Sequence, residues 1–383
     1  PRGVLRSIKV GVRSVWANAT GKNLVGMDRA LIAPLRIGLQ KAGVPVLLNT
    51  ALTDLYIEDG VVRGIYVREA GAPESAEPKL IRARRGVILG SGGFEHNQEM
   101  RTKYQRQPIT TEWTVGAVAN TGDGILAAEK LGAALELMED AWWGPTVPLE
   151  GAPWFALSER NSPGSIIVNM NGKRFMNESM PYVEACHHMY GGQYGQGAGP
   201  GENVPAWMIF DQQYRDRYIF AGLQPGQRIP KKWMESGVIV KADSLAELAE
   251  KTGVAADALK ATIERFNGFA RSGVDEDFHR GESAYDRYYG DPTNKPNPNL
   301  GEIKHGPFYA AKMVPGDLGT KGGIRTDVHG RALRDDNSVI EGLYAAGNVS
   351  SPVMGHTYPG PGGTIGPAMT FGYLAALHLA GKA

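Results

Sequence analysis

Two segments in distant parts of the chain have the same sequence pattern, a short apolar run followed by small residues. GVILGSGGF spans residues 86–94 and GLYAAGNVS spans residues 342–350. Each apolar run is typical of a buried strand, and the small residues that follow leave room for a ligand close to the backbone. Taken separately, each segment also fits an ordinary strand–turn transition. Together they predict that both ends of the chain contribute to one α/β domain.

The middle of the chain has a different character. AWWGPTVPLEGAPWF (141–155) is rich in aromatic residues and proline, and residues 275–307 are polar and rich in proline and asparagine. A chain of 383 residues is long enough for two domains. We therefore predict one domain with a second domain inserted into it. The predicted division is residues 1–145 (first part of the outer domain), 146–315 (inserted domain) and 316–383 (second part of the outer domain).

Local patterns predict further secondary structure, because apolar spacing, turn residues and capping residues mark the ends of helices and strands. The predicted elements are a helix over residues 27–42, a strand over 45–49, hairpins at Asp59-Gly60 and Asn171-Gly172, a helix over 125–138 interrupted at Gly132, a helix opened by the capping box of Ser244 and Glu247, and a helix that stops at Gly273.

Charge and composition narrow the class of protein. The net charge of +1 gives no reason to expect binding to nucleic acid or to an anionic membrane. The single cysteine, Cys186, excludes an intrachain disulfide and fits a reducing compartment. We find neither a signal peptide nor an apolar run of about 18 residues, the length that a membrane span needs. We therefore expect a cytoplasmic protein without stable membrane insertion.

A glycine-rich segment lies close to the end of the chain. Residues 358–372 read YPGPGGTIGPAMTFG, and a helical pattern begins within this segment. The glycines superficially resemble a dinucleotide fingerprint, but a fingerprint needs a second strand and an acidic residue about 20 positions later. The chain ends too soon after Gly366 for either. The segment is therefore either a tight structural turn or a helix N-terminus directed at some other electron-rich group.

Several motifs, taken together, resemble one family of flavoproteins. MGHTYPGPGGTIGPAMTFG (354–372), PYVEACHHMY (181–190) after RFMNES, and GAVANTGDG followed by AWWGP are similar to the 3-ketosteroid Δ1-dehydrogenases, a branch of the fumarate reductase-like flavoproteins. The resemblance covers essentially the whole chain. It implies an α/β fold, in which a Rossmann-like, glutathione reductase-like FAD-binding domain carries an inserted α+β catalytic domain.

The resemblance also implies where FAD binds. The closing glycine loop would face the pyrimidine side of the flavin ring, where negative charge collects on reduction, so the N-terminus of the helix that follows would suit it. The residues that the resemblance assigns to the cofactor are Leu52, Ser91, Gly92, Gly93, Asp123, Gly347, Asn348, Gly363, Thr364, Ile365 and Gly366.

One family motif is not found in this sequence. The family begins with a GxGxxG strand–helix segment, and we expect more than a hundred family residues, this segment among them, to lie upstream of Pro1. The site for the adenosine pyrophosphate is then expected to be incomplete. A tyrosine that the family places near the steroid from that upstream part has no counterpart here.

The resemblance implies an oxidation of ring A in a 3-ketosteroid, in which a proton leaves C2 and a hydride leaves C1 for N5 of the flavin. Tyr358 is the candidate hydrogen-bond donor to the ketone, with the N–H group of Gly362 as a second donor. In the fumarate reductase-like relatives a catalytic arginine lies four positions after the glutamate of the RFxNE motif, and four positions after Glu178 is Tyr182. Tyr182 is therefore the candidate base, with Tyr190 as the alternative. A free phenol has a pKa of about 10, so such a base needs a helper.

The implied function is flavin-dependent 1,2-desaturation of 3-ketosteroids in steroid catabolism, with an external electron acceptor such as a quinone. Two rivals stay open: a Δ4-(5α)-dehydrogenase or other flavin-dependent ketone desaturase, and an inactive steroid-binding remnant. Four aromatic residues either line a steroid pocket or belong to the core. They are Trp142, Trp143, Trp154 and Phe155. Metal binding is not expected, since the adjacent His187 and His188 cannot share one helix face.

Overall fold

The structure is a computed structural model that describes residues 2–22, 24, 26–73, 75–197 and 199–382. The chain divides into two units. One unit comprises the residues up to Ala51 together with Glu69–Ala76, and the other comprises Leu52–Arg68 together with the residues from Glu77 onward.

Two helices open the chain, α1 (Arg2–Ala19) and α2 (Met27–Lys41). The helix predicted over residues 27–42 is therefore confirmed to within one residue. The strand predicted over residues 45–49 is wrong, because regular strand structure begins only at Thr50. Asn49 has a φ of 52°, a left-handed conformation that a strand cannot contain.

The predicted hairpin at Asp59-Gly60 is confirmed between β1 (Thr50–Glu58) and β2 (Val61–Glu69). Asp59 and Gly60 have φ values of 53° and 76°, as a two-residue turn of the favoured handedness requires. The third strand, β3 (Lys79–Arg82), pairs antiparallel with β2.

The remaining elements follow in chain order. They are β4 (Val87–Leu89), α3 (Gln98–Tyr104), α4 (Asp123–Glu129), β5 (Leu135–Glu136), β6 (Ala141–Val147), β7 (Trp154–Phe155), β8 (Ser165–Val168), α5 (Tyr182–Tyr190), β9 (Ala206–Asp211), α6 (Gln212–Arg217), α7 (Lys231–Glu235), β10 (Ile239–Ala242), α8 (Leu245–Thr252), α9 (Ala256–Ser272), α10 (Ala284–Tyr289), β11 (Phe308–Thr320), β12 (Gly323–Ile324), β13 (Arg331–Leu333), β14 (Val339–Ala345) and α11 (Ile365–Leu379).

The two similar segments at the ends of the chain are neighbours in a small sheet of order β13-β14-β4. Strand β14 pairs parallel with β4, with Leu343 opposite Val87 and Ala345 opposite Leu89. The pairing continues for one more bond, from the N–H of Ala346 to the carbonyl of Leu89, at 3.0 Å. Because the two strands are parallel, both small-residue turns emerge at the same edge of the sheet.

The larger sheet has the order β7-β6-β11-β9-β8, with β10 also on β11. Its two faces bury different sets of side chains, because alternate residues of a strand point to opposite faces. Ile166 and Ile209 pack with helices α8 and α9, whereas Ile167 and Met208 pack with α5. The boundaries predicted at 145/146 and 315/316 fall inside strands β6 and β11, and that division stays a prediction.

The helix predicted over residues 125–138 is wrong in its second half, since α4 ends at Glu129. Gly132 has a φ of 79°, which turns the chain out of the helix, and residues 135–136 form strand β5 instead. Helix α10 was missed within the polar segment 275–307. It has only six residues, too few to show a helical period.

Both predicted helix ends in the middle of the chain are confirmed. The Ser244 hydroxyl accepts from the N–H of Glu247 at the start of α8, and α9 ends at Gly273 in the left-handed conformation. The turn at Asn171-Gly172 is present, but the segments on its two sides are paired by a single antiparallel bridge, between Val168 and Arg174, and not by a full hairpin ladder. No helix among the described residues is both long and apolar enough to cross a membrane.

Candidate active site

The turn after β4 brings together the first group of residues assigned to the cofactor. Gly92 has a φ of 79° and packs so closely on Asn120 that a Cβ there would overlap the amide group. The carbonyl of Gly93 accepts the N–H of Gly122 at 3.1 Å, directly before α4. Ser91 lies against Gly124 in the first turn of that helix, whose first residue, Asp123, is exposed. Residues 91–93 and Asp123 therefore lie close together, at the start of α4.

The turn after β14 brings together a second group. Gly347, Asn348, Gly363 and Thr364 line one cavity, which Trp142 also lines. The indole N–H of Trp142 donates to Oδ1 of Asn348 at 3.0 Å. Since β4 and β14 are adjacent, the two groups lie at the same sheet edge. Leu52 is in neither group. It lies on β1 and packs, partly buried, against the hydrophobic core.

The glycine loop before α11 has a packed side and an open side. A Cβ at Gly363 would lie 3.0 Å from Cε2 of Tyr358, so only glycine lets that ring pack against the loop. At Gly362 and Gly366 a Cβ would meet no atom of the described residues within 4 Å. At the start of α11 the N–H of Gly366 donates to the carbonyl of Gly362 at 2.8 Å, and Pro367 has no N–H, so the donor that this helix end presents beside the open side is the N–H of Ile365.

The candidate donor and the candidate base lie next to each other. Tyr182 is the first residue of α5, and its ring centroid is 5.3 Å from that of Tyr358. Trp142 packs against Tyr358 with ring centroids 5.2 Å apart, and Phe155 packs edge-on against Tyr182 at 5.2 Å. Four rings thus form a row, in which Tyr182 is buried and Tyr358 is half-buried.

The surroundings of Tyr182 favour its neutral form. Burial raises the pKa of Tyr182 most, and a hydrogen bond with Tyr358 and the nearby Tyr285 and Tyr289 raise it further. Tyr285 and Tyr289 belong to α10, the helix that the sequence reasoning missed. The aromatic cluster of the YDRYY segment could have drawn attention to them.

Other predicted side chains are engaged away from this row. The hydroxyl of Tyr190 donates to the carbonyl of Pro108 at 3.0 Å, and its ring packs on Trp143. The indole N–H of Trp143 donates to Asp140 at 2.6 Å, and that of Trp154 donates to Glu159 at 2.7 Å. Of the four aromatic residues considered for a pocket, Trp142 and Phe155 therefore contact the tyrosine pair.

A buried charged cluster lies against Trp142. Nζ of Lys321 is 2.7 Å from Oδ2 of Asp140, and Nε2 of His187 is 3.2 Å from Oδ1. Nδ1 of His187 is 3.3 Å from Oε2 of Glu184. In the described part of the chain no group of side chains is suited to hold a metal ion. Burial alone would raise the pKa of Asp140, but the hydrogen bond from His187 and the charge of Lys321 together lower it. Burial would lower the pKa of His187, but its bonds to Asp140 and Glu184 raise it.

A parallel strand pair that ends in glycine turns, with a helix N-terminus at the same edge, is the framework of a nucleotide-cofactor site. The FAD binding domain family model matches residues 4–365. The chain is 88% identical over 383 residues to a 3-oxosteroid 1-dehydrogenase of Mycolicibacterium smegmatis, covering 100% of this chain and 67% of that protein. It is 82% identical to a 3-oxosteroid 1-dehydrogenase of Mycobacterium tuberculosis, covering 100% of this chain and 68% of that protein.

A solved structure is similar as well. The 3-ketosteroid delta1-dehydrogenase from Sterolibacterium denitrificans in complex with 1,4-androstadiene-3,17-dione superimposes with a TM-score of 0.85 at 44% identity, covering 91% of this chain and 62% of that one. The chain thus spans about two thirds of the length of the relatives that it matches. It belongs to the FAD binding domain family and, within it, to the 3-oxosteroid 1-dehydrogenases. FAD is accordingly its cofactor.

Proposed function

We propose that the protein desaturates the C1–C2 bond of 3-ketosteroids with the help of FAD, in steroid catabolism. The observation that carries the proposal is the contact between Tyr182 and Tyr358, whose ring centroids are 5.3 Å apart beside the glycine loop. Two phenols so placed can act on neighbouring positions of one steroid ring: one donates a hydrogen bond to the ketone oxygen, and the other accepts a proton from the adjacent carbon. The named activities of the relatives support the same reaction.

The residues at the sheet edge fit FAD. Gly362 and Gly366 leave open space where a side chain would otherwise stand, so a flat ring can approach the backbone there. Asn348, Thr364 and the N–H of Ile365 at the start of α11 would hold the flavin end, where a helix N-terminus favours negative charge. Ser91, Gly92, Gly93 and Asp123 would bind at the neighbouring turn. When bound, FAD supplies the acceptor for the hydrogen that leaves C1 with two electrons.

The chain's own residues handle the proton. The C2 proton of a 3-ketosteroid is acidic only if the ketone oxygen can take up negative charge, so a donor at that oxygen lowers the barrier. The phenol of Tyr358 is that donor, and the N–H of Gly362 is the second. Because Tyr358 lies against Tyr182 and is among the groups that raise the pKa of Tyr182, a change of charge at one is felt by the other.

Tyr182 accepts the C2 proton. Its raised pKa means that little of the ionised form is present at neutral pH, so the rate rises with pH as that form is populated. Tyr182 is also the first residue of α5, where the helix dipole favours the negative charge of a phenolate.

An external acceptor removes the electrons after each turnover, and we propose a quinone for this role. We propose a cytoplasmic location, supported by the one cysteine, Cys186, which is buried and free.

Product analysis tests the proposed reaction. The whole FAD-loaded protein is incubated with 5α-androstane-3,17-dione and an artificial acceptor dye, and the products are identified by mass spectrometry and NMR. We expect a double bond between C1 and C2. A double bond between C4 and C5 would show a Δ4-(5α)-dehydrogenase, and an FAD-loaded protein that bound the steroid without forming product would contradict the enzymatic proposal.

A further inference from the structure

Lys321 is a lysine with no exposed side-chain surface, and its ammonium group makes three contacts. Nζ lies 2.7 Å from Oδ2 of Asp140 and donates to the carbonyl of His356 at 3.1 Å. It also lies 4.9 Å from the ring centroid of Trp142. A lysine is rarely buried completely unless its charge is paired, so these contacts account for its position.

The carboxylate that holds Lys321 is itself fixed from several sides. Oδ1 of Asp140 accepts the indole N–H of Trp143 at 2.6 Å and the N–H of Ala141 at 3.0 Å. Nε2 of His187 lies 3.2 Å from the same oxygen, and Nδ1 of His356 lies 3.4 Å from the other. Hydrogen bonds to both of its oxygens restrict the orientation of the carboxylate, and with it that of the ammonium group.

The pair stands at the adjoining ends of two paired strands. Asp140 directly precedes β6 and Lys321 directly follows β11, and these two strands pair with Thr320 opposite Ala141. The carbonyl of His356, in contrast, lies in a loop between β14 and α11. The hydrogen bond from Lys321 therefore joins a loop to the larger sheet.

The joined loop carries Tyr358, two residues after His356. Near β14 this loop is bonded to the rest of the fold, for example from the N–H of Ser351 to the carbonyl of Ile324 at 2.9 Å, whereas over residues 352–364 its own backbone hydrogen bonds are short-range, such as Thr357 N–H to Met354 at 3.2 Å and Gly363 N–H to Gly360 at 3.0 Å. Trp142, which lies under the Lys321 ammonium, packs against the Tyr358 ring at 5.2 Å. Lys321 thus contacts both the backbone that leads to Tyr358 and the ring on which Tyr358 packs.

An apolar pair would be easier to bury than two charges, but it could not donate to a carbonyl. We propose that Lys321 and Asp140 are positioning residues, which hold the loop at His356 and thereby fix the hydroxyl of Tyr358 toward the ketone. This inference rests on the function proposed above for Tyr358. A misplacement of about 1 Å in a catalytic group can cost about 10²-fold in rate, so the pair has a large effect without touching the substrate.

Hydrogen–deuterium exchange of the FAD-loaded whole protein, without steroid, tests the positioning directly. In Lys321→Met we expect peptides covering residues 354–364 to exchange at least tenfold faster. We also expect kcat to fall about 10–100-fold while KM for the steroid changes less than threefold, because the group that is lost positions a donor and does not bind substrate. Lys321→Arg, which keeps the charge and the donors, should recover part of both.

Two further variants keep the test decisive. Lys321→Met leaves the buried Asp140 without its lysine partner, so the double variant Lys321→Met with Asp140→Asn removes both charges and is used if the single variant does not fold. Arg215→Met is the matched control. Arg215 is a buried cation that donates to the carbonyls of Tyr218, Gln224 and Gln227, so its loss should speed exchange there and not in residues 354–364.

Unchanged exchange in residues 354–364 of the folded Lys321 variants would overturn the proposal, whatever the turnover. A failure of the proposed function would look different. In that case the Lys321 variants would still speed exchange in the loop, but Tyr358→Phe would turn over like the wild type.

Discussion

Tyr358→Phe removes one hydroxyl and leaves the rest of the site in place. The ring contacts with Trp142 at 5.2 Å and with Tyr182 at 5.3 Å depend on the aromatic face, which phenylalanine keeps. The ring is also half-buried and already packs against Gly363, so no cavity opens. We expect the free energy of unfolding to change by no more than about 1 kcal/mol, the typical net value of one hydrogen bond.

The effect on turnover should be far larger. Loss of one donor at an oxygen that gains negative charge costs about 10²–10³ in kcat, or about 2.7–4 kcal/mol. A second effect has the opposite sign. The hydrogen bond with Tyr358 is one of the causes that raise the pKa of Tyr182, so its removal lowers that pKa. The rise of the residual rate with pH should therefore begin at a lower pH in the variant than in the wild type.

The assay is steady-state turnover of a 3-ketosteroid with an acceptor dye, measured across pH, together with steroid binding and thermal unfolding. Tyr214→Phe is the matched control, since Tyr214 is a buried tyrosine whose hydroxyl donates to the carbonyl of Glu159 at 2.9 Å. It should lose a little stability and keep kcat. A Tyr358→Phe protein within threefold of wild-type kcat would remove Tyr358 from the donor role.

Three further outcomes are expected. Tyr182→Phe should abolish both desaturation and the exchange of the C2 proton with deuterated water, followed by NMR, and exchange at the wild-type rate would mean that another residue is the base. In the wild type kcat/KM should rise with pH through the neutral range, because the pKa of Tyr182 is raised and its ionised form is the base; a rate that is flat or falls with pH would contradict this. Gly363→Ala should lower kcat by about tenfold or more, because its Cβ would stand 3.0 Å from Tyr358 and push the ring out of position; unaltered kcat would show that the ring is free to move.

The parts of the fold that were predicted correctly are those with a local signal. The apolar runs at 86–89 and 342–346 indicated buried strands, and the structure pairs them in parallel. Asp59 and Gly60 can adopt the left-handed conformations of a tight turn, so the hairpin could be predicted from the sequence. The strand expected over 45–49 failed because apolar residues alone do not reveal the positive φ of Asn49.

The proximity of Tyr182 and Tyr358 was implied by a family resemblance, and spacing along the chain could not have given it. The contact of Lys321 with Asp140 was not foreseen, because 181 residues separate the two and no periodic pattern links them. Tyr285 and Tyr289 were missed for a third reason. Their helix is short and lies in a polar stretch, so only the tertiary fold brings them near Tyr182.

A crystal structure of the FAD-loaded whole protein with a bound 3-ketosteroid would test the central proposal most directly. We expect the C3 ketone oxygen within about 2.5–3.2 Å of both the Tyr358 hydroxyl and the Gly362 N–H, and C2 of the steroid facing the Tyr182 hydroxyl. A steroid bound with its C3 ketone away from Tyr358, or with C2 out of reach of Tyr182, would contradict the roles proposed for both tyrosines.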